Sequence, residues 1–423
     1  MGHPQSLACT SIPACLDLSG AGDVSSQCRN RDLTPMDIIR TTDALAAFCE
    51  RAAQRPYVTV DTEFLRERTY YSRLCLMQMA YSDEDGGEAV LIDTLEEGLS
   101  LAPVYELFRN TNVVKVFHAA RQDIEIFVVD KGVVPDPLFD TQVAAMVCGY
   151  GEQVGYETLV RKIAKADLDK SSRFTDWSRR PLTDAQAQYA LGDVTHLRQI
   201  YEVLSNRLEK TGRARWLAEE MAILKDPDTY RIHPDNAWKR VKTRTQSAKF
   251  LAIVKELAAF REAYAQQRDI PRNRVFKDDA MVELASTKPR NEKDLGRSRL
   301  LLREARKGDI AEGILKAITA GIEMPADQMP QPDKHPKSGA QVNSALSDML
   351  RVLLKAKSEN ADVAQKLIAS ASDLDLMASG ERDLPALKGW RREVFGDDAL
   401  RLCEGKIALA VQGRRVITMA IDA

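Results

Sequence analysis

Long apolar runs are missing from this chain: nowhere do its 423 residues approach the ~18 consecutive apolar positions that a membrane-spanning helix needs. No membrane partner is therefore expected. Paired cysteines are missing too. Cys9, Cys15, Cys28, Cys49, Cys75, Cys148 and Cys403 are scattered with no Cys-x-x-Cys spacing, which argues against a zinc site or a disulfide framework and for reduced thiols in the cytoplasm. A charge of one sign is absent as well, since the formal net charge is only −2, so any nucleic-acid surface must be local. No Gly-x-x-x-x-Gly-Lys-Ser/Thr loop occurs, so ATP is not an expected partner. The N-terminus has no basic stretch followed by an apolar core, so a signal peptide is not expected. Residues 1–35 are rich in Ser, Gly, Cys and Asp and read as a disordered tail or as an upstream extension in front of Met36.

What is present fits a globular protein of two or three domains, with 44% hydrophobic and 29% charged residues. An orderly pattern begins at Met36-Asp37-Ile38-Ile39. A helix over 43–53 leads to the strand Tyr57-Val58-Thr59-Val60-Asp61-Thr62-Glu63-Phe64, and strands over 74–81 and 89–92 follow across short polar turns. These three read as an antiparallel meander, with Met77 and Met79 packing on one face. A helix over 103–109, a strand over 113–118, a helix over 119–129 and an extended piece over 135–139 come next. Asp140 is a plausible cap of the helix after it. Helical spacing returns over 156–163 and 183–208, and the alternation implies an α/β domain with a mixed sheet ending near 210. Beyond it the pattern is almost wholly helical: a long helix within 238–267, a Pro-containing loop over 270–279, further helices, a proline-rich linker, and a final helical unit from Gln341 to the C-terminus. The two helical units share an order of elements that suggests a diverged repeat.

Asp61 and Glu63 are two apart in a strand and so share a face, as Val58 and Val60 share theirs. Two adjacent carboxylates repel unless a cation sits between them, and hard divalent ions favour such oxygen ligation. Acid pairs at the same spacing, Asp167/Asp169, Asp226/Asp228 and Asp373/Asp375, lie in polar or helical settings and read as solvated surface. Asp123 follows His118 by five residues, and Tyr189 and Asp193 stand at i and i+4 on one helix face. Taken singly, Asp193 reads as a surface acid, Tyr189 as a core aromatic and His118 as a packing residue. Their joint order suits phosphodiester hydrolysis by two metal ions, with the phenol beside the attacking water.

The segments Val60-Asp61-Thr62-Glu63-Phe64, His118-Ala-Ala-Arg-Gln-Asp123 and Tyr189-Ala-Leu-Gly-Asp193-Val194 resemble the DEDD family of 3′–5′ exonucleases, in its branch with a tyrosine in the third motif. Phe139-Asp140-Thr141-Gln142 and Asp176-Trp177-Ser178-Arg179-Arg180-Pro181-Leu182 narrow the resemblance to the ribonuclease D group. It implies an RNase H-like domain over 36–210, ligation of two Mg²⁺ or Mn²⁺ by Asp61, Glu63, Asp123 and Asp193, and a water positioned by Tyr189. It also implies a 3′–5′ exoribonuclease that acts on tRNA precursors. Residues 243–323, with Ile270-Pro-Arg and Leu284-Ala-Ser-Thr-Lys-Pro, are similar to HRDC domains, and 340–423 resembles a degenerate second copy. A connector over 211–242 and a linker over 324–339 complete the division into an α/β domain followed by all-α domains. The expected state is a monomer.

Positive charge gathers locally. Lys239, Arg240, Lys242, Arg244 and Lys249 fall together, and the stretch from Lys288 through Arg290 to Lys307 holds eight basic against three acidic residues. These runs, with Arg173, Arg179 and Arg180 beside Trp177, are candidate phosphate contacts; a solvated helix face is the plain alternative, and Trp177 reads first as a packing residue. Two other functions remain open on the residues alone: a DNA 3′–5′ exonuclease, and an RNA-binding protein that keeps the fold without catalysis.

Overall fold

A computed structural model describes residues 38–82, 86–169, 172–173, 175–245, 247–331 and 343–421. The expected disordered tail or upstream extension over 1–35 and residues 332–339 of the linker over 324–339 lie outside the described residues. The N-terminal body is built on a six-stranded mixed sheet in the order β1-β4-β3-β2-β5-β6. Its strands are β1 (Ile38–Ile39), β2 (Tyr57–Leu65), β3 (Arg73–Tyr81), β4 (Glu88–Ile92), β5 (Val114–Phe117) and β6 (Leu138–Asp140). The expected meander β2–β3–β4 is antiparallel, whereas β1, β5 and β6 add parallel pairs at its two sides.

Alternation along β2 sets the two faces of the sheet. Val58 and Val60 join Met77 and Met79 of β3 in a fully buried core, which confirms the packing role expected of the methionines. The opposite face carries Thr59, Asp61 and Glu63 and is covered by α6 (Asp184–Lys210). That helix starts at Thr183, whose side chain and Gln186 form a reciprocal capping box. Two contacts fix the helix to the strand: the Thr59 hydroxyl bonds the Val194 carbonyl at 2.8 Å, and the Tyr57 hydroxyl donates to Glu202.

The helical units have their own cores, one including Leu257, Phe276 and Ile314, the other Leu353, Trp390 and Phe395. The first comprises Ala248–Arg268, Arg272–Val275, Asp278–Thr287, Glu292–Leu295 and Gly308–Glu323. The second begins with Ser344–Ala361, Gln365–Ile368 and Ala371–Ala378. In both, the long helix ends on an aspartate in the left-handed region, Asp269 at φ 49° and Asp362 at φ 47°. The next helices begin three residues on, at Arg272 and Gln365, and nine residues on, at Asp278 and Ala371. Both aspartates also touch the sheet domain. Asp269 accepts from the amides of Tyr70 and Tyr71, and Asp362 pairs with Arg207.

The second unit is not all-α, which corrects the sequence reading. It ends in a hairpin, β7 (Ile407–Gln412) with β8 (Arg415–Ala420), turning on Gly413 at φ 63°. Apolar and small residues alternate around a Gly-x two-residue loop, a pairing signal that overrides the surrounding helical pattern.

Trp390 anchors the second unit to the sheet domain. It is fully buried, stacks on Trp216 at 4.7 Å, and donates its indole N–H to Glu220 at 2.9 Å. Trp390→Ala is expected to cost about 3–5 kcal/mol, measured by denaturant unfolding; a loss below about 1 kcal/mol would show that this contact is dispensable.

Candidate active site

Asp61 and Glu63 stand half-buried near the end of β2, on the face beneath α6. Asp193 projects from α6 toward them. One carboxylate oxygen from each of Asp61, Glu63 and Asp193 lies within 4.8 Å of the others. Three of the four expected acids therefore converge, although Asp61 and Asp193 are far apart in the chain.

Asp123 lies beside this set rather than within it. It is buried on the first turn of α3 (Arg121–Lys131) and accepts a short hydrogen bond from the Thr62 hydroxyl. Its charge reaches both Asp61 and Glu63. The helix begins at Arg121 and not at 119, because Ala119 turns through the left-handed region at φ 58°. Asp140 makes that turn possible. Its carboxylate accepts from the amides of Ala119 and Ala120 at 3.1 and 2.9 Å, and from those of Gln142 and Val143 at the start of α4 (Thr141–Val147). The capping role expected of Asp140 is thus present, and the same carboxylate also aims Asp123. A two-pronged Arg66–Glu125 ion pair then ties the end of β2 to α3, two residues past Asp123.

Burial and mutual repulsion reshape the titration of these groups. Glu63 is pushed up to about 10, by burial first and then by Asp61, Asp193 and Asp123. Burial raises Asp193 to about 7 against the pull of a Tyr189 hydrogen bond and the Arg173 charge. Asp61 is held well above the usual carboxylate range by burial and by Asp193, and Asp123 by burial and by Asp61. Oxygen-only donors that disfavour their own ionisation are what a divalent cation relieves, so these residues fit such an ion.

Tyr189 stands one turn before Asp193 on α6 and hydrogen-bonds it. Burial, then Asp193, Glu63 and Asp61, raises its phenol far above the ordinary value, so it stays protonated and is a donor at neutral pH. Trp177 is buried with its ring 6.1 Å from that of Tyr189, which makes it a wall of the site. His118 is outside the acidic set. It bonds Thr141 at 3.0 Å and lies against the Tyr156 ring, and burial lowers its pKa, which agrees with the packing role. Tyr156 itself was not legible as a site residue: it feels the charges of Asp193 and Asp61 and donates to the Gly192 carbonyl at 2.9 Å.

The basic candidates divide. Arg180 is corrected: Nε and Nη2 grip Asp93, Nη2 also bonds the Cys75 carbonyl, and Nη1 bonds the carbonyls of Trp177 and Arg179. All five of its donors are taken, leaving none for phosphate. Arg173 acts on Glu63, Tyr189 and Asp193 electrostatically. Arg179 is exposed, paired at 3.4 Å with Asp176. Lys239, Arg240, Lys242 and Arg244 are exposed on the approach to the first helical unit. Lys288 and Arg290 line, with Arg297, a concavity of about 380 Å³ in that unit.

The chain is similar to known proteins along most of its length. Residues 36–209 match the 3′–5′ exonuclease family and residues 250–318 the HRDC domain. A ribonuclease D of Jannaschia sp. is 64% identical over 89% of this chain and 98% of its own. The chain belongs to the ribonuclease D family. A ribonuclease D of Granulibacter bethesdensis is 48% identical over 93% of this chain and 98% of its own. Among solved structures, the ribonuclease D of Escherichia coli, an exoribonuclease involved in structured RNA processing, is similar with a TM-score of 0.75 and 28% identity, over 88% of this chain and 99% of that one. The protein is accordingly a 3′–5′ exoribonuclease. Its family depends on divalent metal, and an acidic cluster that could hold such an ion is present among the described residues.

Two outcomes test the site. Raised carboxyl pKa values mean that the folded, metal-free protein holds more protons than the unfolded chain, so this contribution is complete below about pH 4 and fades as pH rises toward 7 and beyond. Melting in chelator is therefore expected at a lower temperature at pH 8 than at pH 5, with manganese restoring the difference; a melting temperature that rises over that range would contradict it. Arg180→Ala leaves Asp93 buried without its partner and is expected to cost about 3 kcal/mol in denaturant unfolding, against little change for Arg179→Ala.

Proposed function

We propose that this ribonuclease D releases nucleoside 5′-monophosphates singly from RNA 3′ ends, using two Mg²⁺ or Mn²⁺ ions. The observation that carries the reading is the meeting of Asp61, Glu63 and Asp193, with Tyr189 against Asp193 and Asp123 immediately beside them. Asp61, Glu63, Asp123 and Asp193 hold the cations. Bound there, divalent ions would supply the Lewis acidity that activates a water and offsets charge on the departing oxygen.

Everything else is positioning by the chain. Thr62 fixes the Asp123 carboxylate, and the Thr59–Val194 bond keeps β2 in register with Asp193. Tyr189, held protonated, orients the attacking water by hydrogen bonding instead of taking its proton as a phenolate. Arg173 offsets part of the negative charge and is suited to meet the phosphate of the terminal nucleotide.

The substrates we assign are tRNA precursors, supported by the structured-RNA role of the Escherichia coli relative. Arg179, Lys239, Arg240, Lys242, Arg244, Lys288 and Arg290 extend the grip through phosphate contacts. In this division 36–210 cuts RNA, 211–242 connects, and 243–323 and 340–423, the latter a second HRDC-like unit, hold it across the linker 324–339. The enzyme works as a monomer without ATP. Among the described residues the four cysteines, three of them buried, carry no disulfide, which suits the cytoplasm.

Degradation of an RNA with a free 3′ end, beside the same RNA carrying a 3′-phosphate and a DNA of identical sequence, tests polarity and sugar choice. Chelator is expected to stop the reaction. Asp61→Asn is expected to lower kcat by about 10³-fold or more while RNA binding persists, and Tyr189→Phe by about 10²-fold. An Asp61→Asn enzyme as active as its parent would defeat the assignment.

A further inference from the structure

Gln78 is fully buried on β3, and neither its amide nitrogen nor its amide oxygen has a hydrogen-bond partner. In the antiparallel register it stands directly opposite Asp61, so both side chains leave the same face of the sheet as near neighbours. Its neighbours within the sheet are otherwise apolar: Leu91 opposite it on β4, and Leu76 and Ala80 two residues away on its own strand, all buried. Thr59, one step along β2, has its hydroxyl committed to the Val194 carbonyl.

A buried amide with both groups unpaired is costly, and a leucine or methionine of similar size would fill this place without that cost. Packing alone therefore gives no reason for glutamine here. Asp61 and Glu63 are the carboxylates that the strand register brings near the amide, Asp61 directly opposite and Glu63 on the diagonal.

We infer that Gln78 is a positioning residue of the metal centre, whose amide N–H, unpartnered in this structure, receives the free oxygen of the Asp61 carboxylate when the other oxygen ligates a cation. A carboxylate that binds a metal through one oxygen keeps lone pairs free on the other. A neutral donor there fixes its rotation without competing for the ion, which a lysine or arginine would do. The inference rests on the assignment of Asp61 as a cation ligand.

The test is manganese titration of the full-length protein, followed by the free-ion electron paramagnetic resonance signal, together with thermal melting in EDTA. Gln78→Met and Gln78→Leu are compared with the parent and with Asp61→Asn. The Gln78 variants are expected to melt in EDTA at or above the parent temperature, since they remove two unpaired polar groups, and to bind manganese about tenfold more weakly. Asp61→Asn is expected to lose that binding. Gln78 variants with the parent's affinity, beside an Asp61→Asn protein that has lost it, would overturn this inference alone. An Asp61→Asn protein with undiminished affinity would overturn the ligand assignment and this inference with it. Gln78 variants that no longer fold in EDTA would mark the amide as structural and equally overturn it.

Discussion

Repulsion among carboxylates governs the architecture of this enzyme. Asp61, Glu63 and Asp193 meet at one end of a hydrophobic sheet, with the Asp123 charge beside them. A set of like charges in partly desolvated surroundings is held together only if the scaffold supplies the stability elsewhere. It does so through the apolar face of the sheet and through polar stitches, including Thr59 to Val194, Tyr57 to Glu202 and Arg66 to Glu125. The tension is relieved by protons or by cations, and that choice is what suits the place to a metal ion.

The helical units are joined to the same scaffold. The loop after β2 carries Tyr70, which is buried against Glu262 and lies under the Arg272 guanidinium at 4.6 Å, while Asp269 receives two of the loop's amides. This loop leaves the strand only a few residues beyond Glu63. The first helical unit is thus fastened to the very strand that presents two of the acids.

The acids and Tyr189 were legible because their chemistry is local: acid-x-acid in a strand, and Tyr-x-x-x-Asp on one helix face. Rival acid pairs turned out to serve local ends. Asp226 caps a short turn, Asp373 completes a capping box with Ser370, and Asp375 bonds Ser347 and Arg351. Arg180 was misread because its partner Asp93 lies in a distant part of the sequence, and a lone arginine carries no sign that all of its donors are spoken for. Strand β1 has two residues, too few to show a period. The second duty of Asp140 and the opposition of Gln78 to Asp61 depend on strand order and register, which one sequence does not reveal.

The central claim is that these acids exist to hold cations. Anomalous diffraction from crystals soaked in manganese addresses it directly. The account predicts two peaks about 4 Å apart, ligated among Asp61, Glu63, Asp123 and Asp193. Saturating manganese that leaves these four side chains bare, or that collects elsewhere in the molecule, would contradict it.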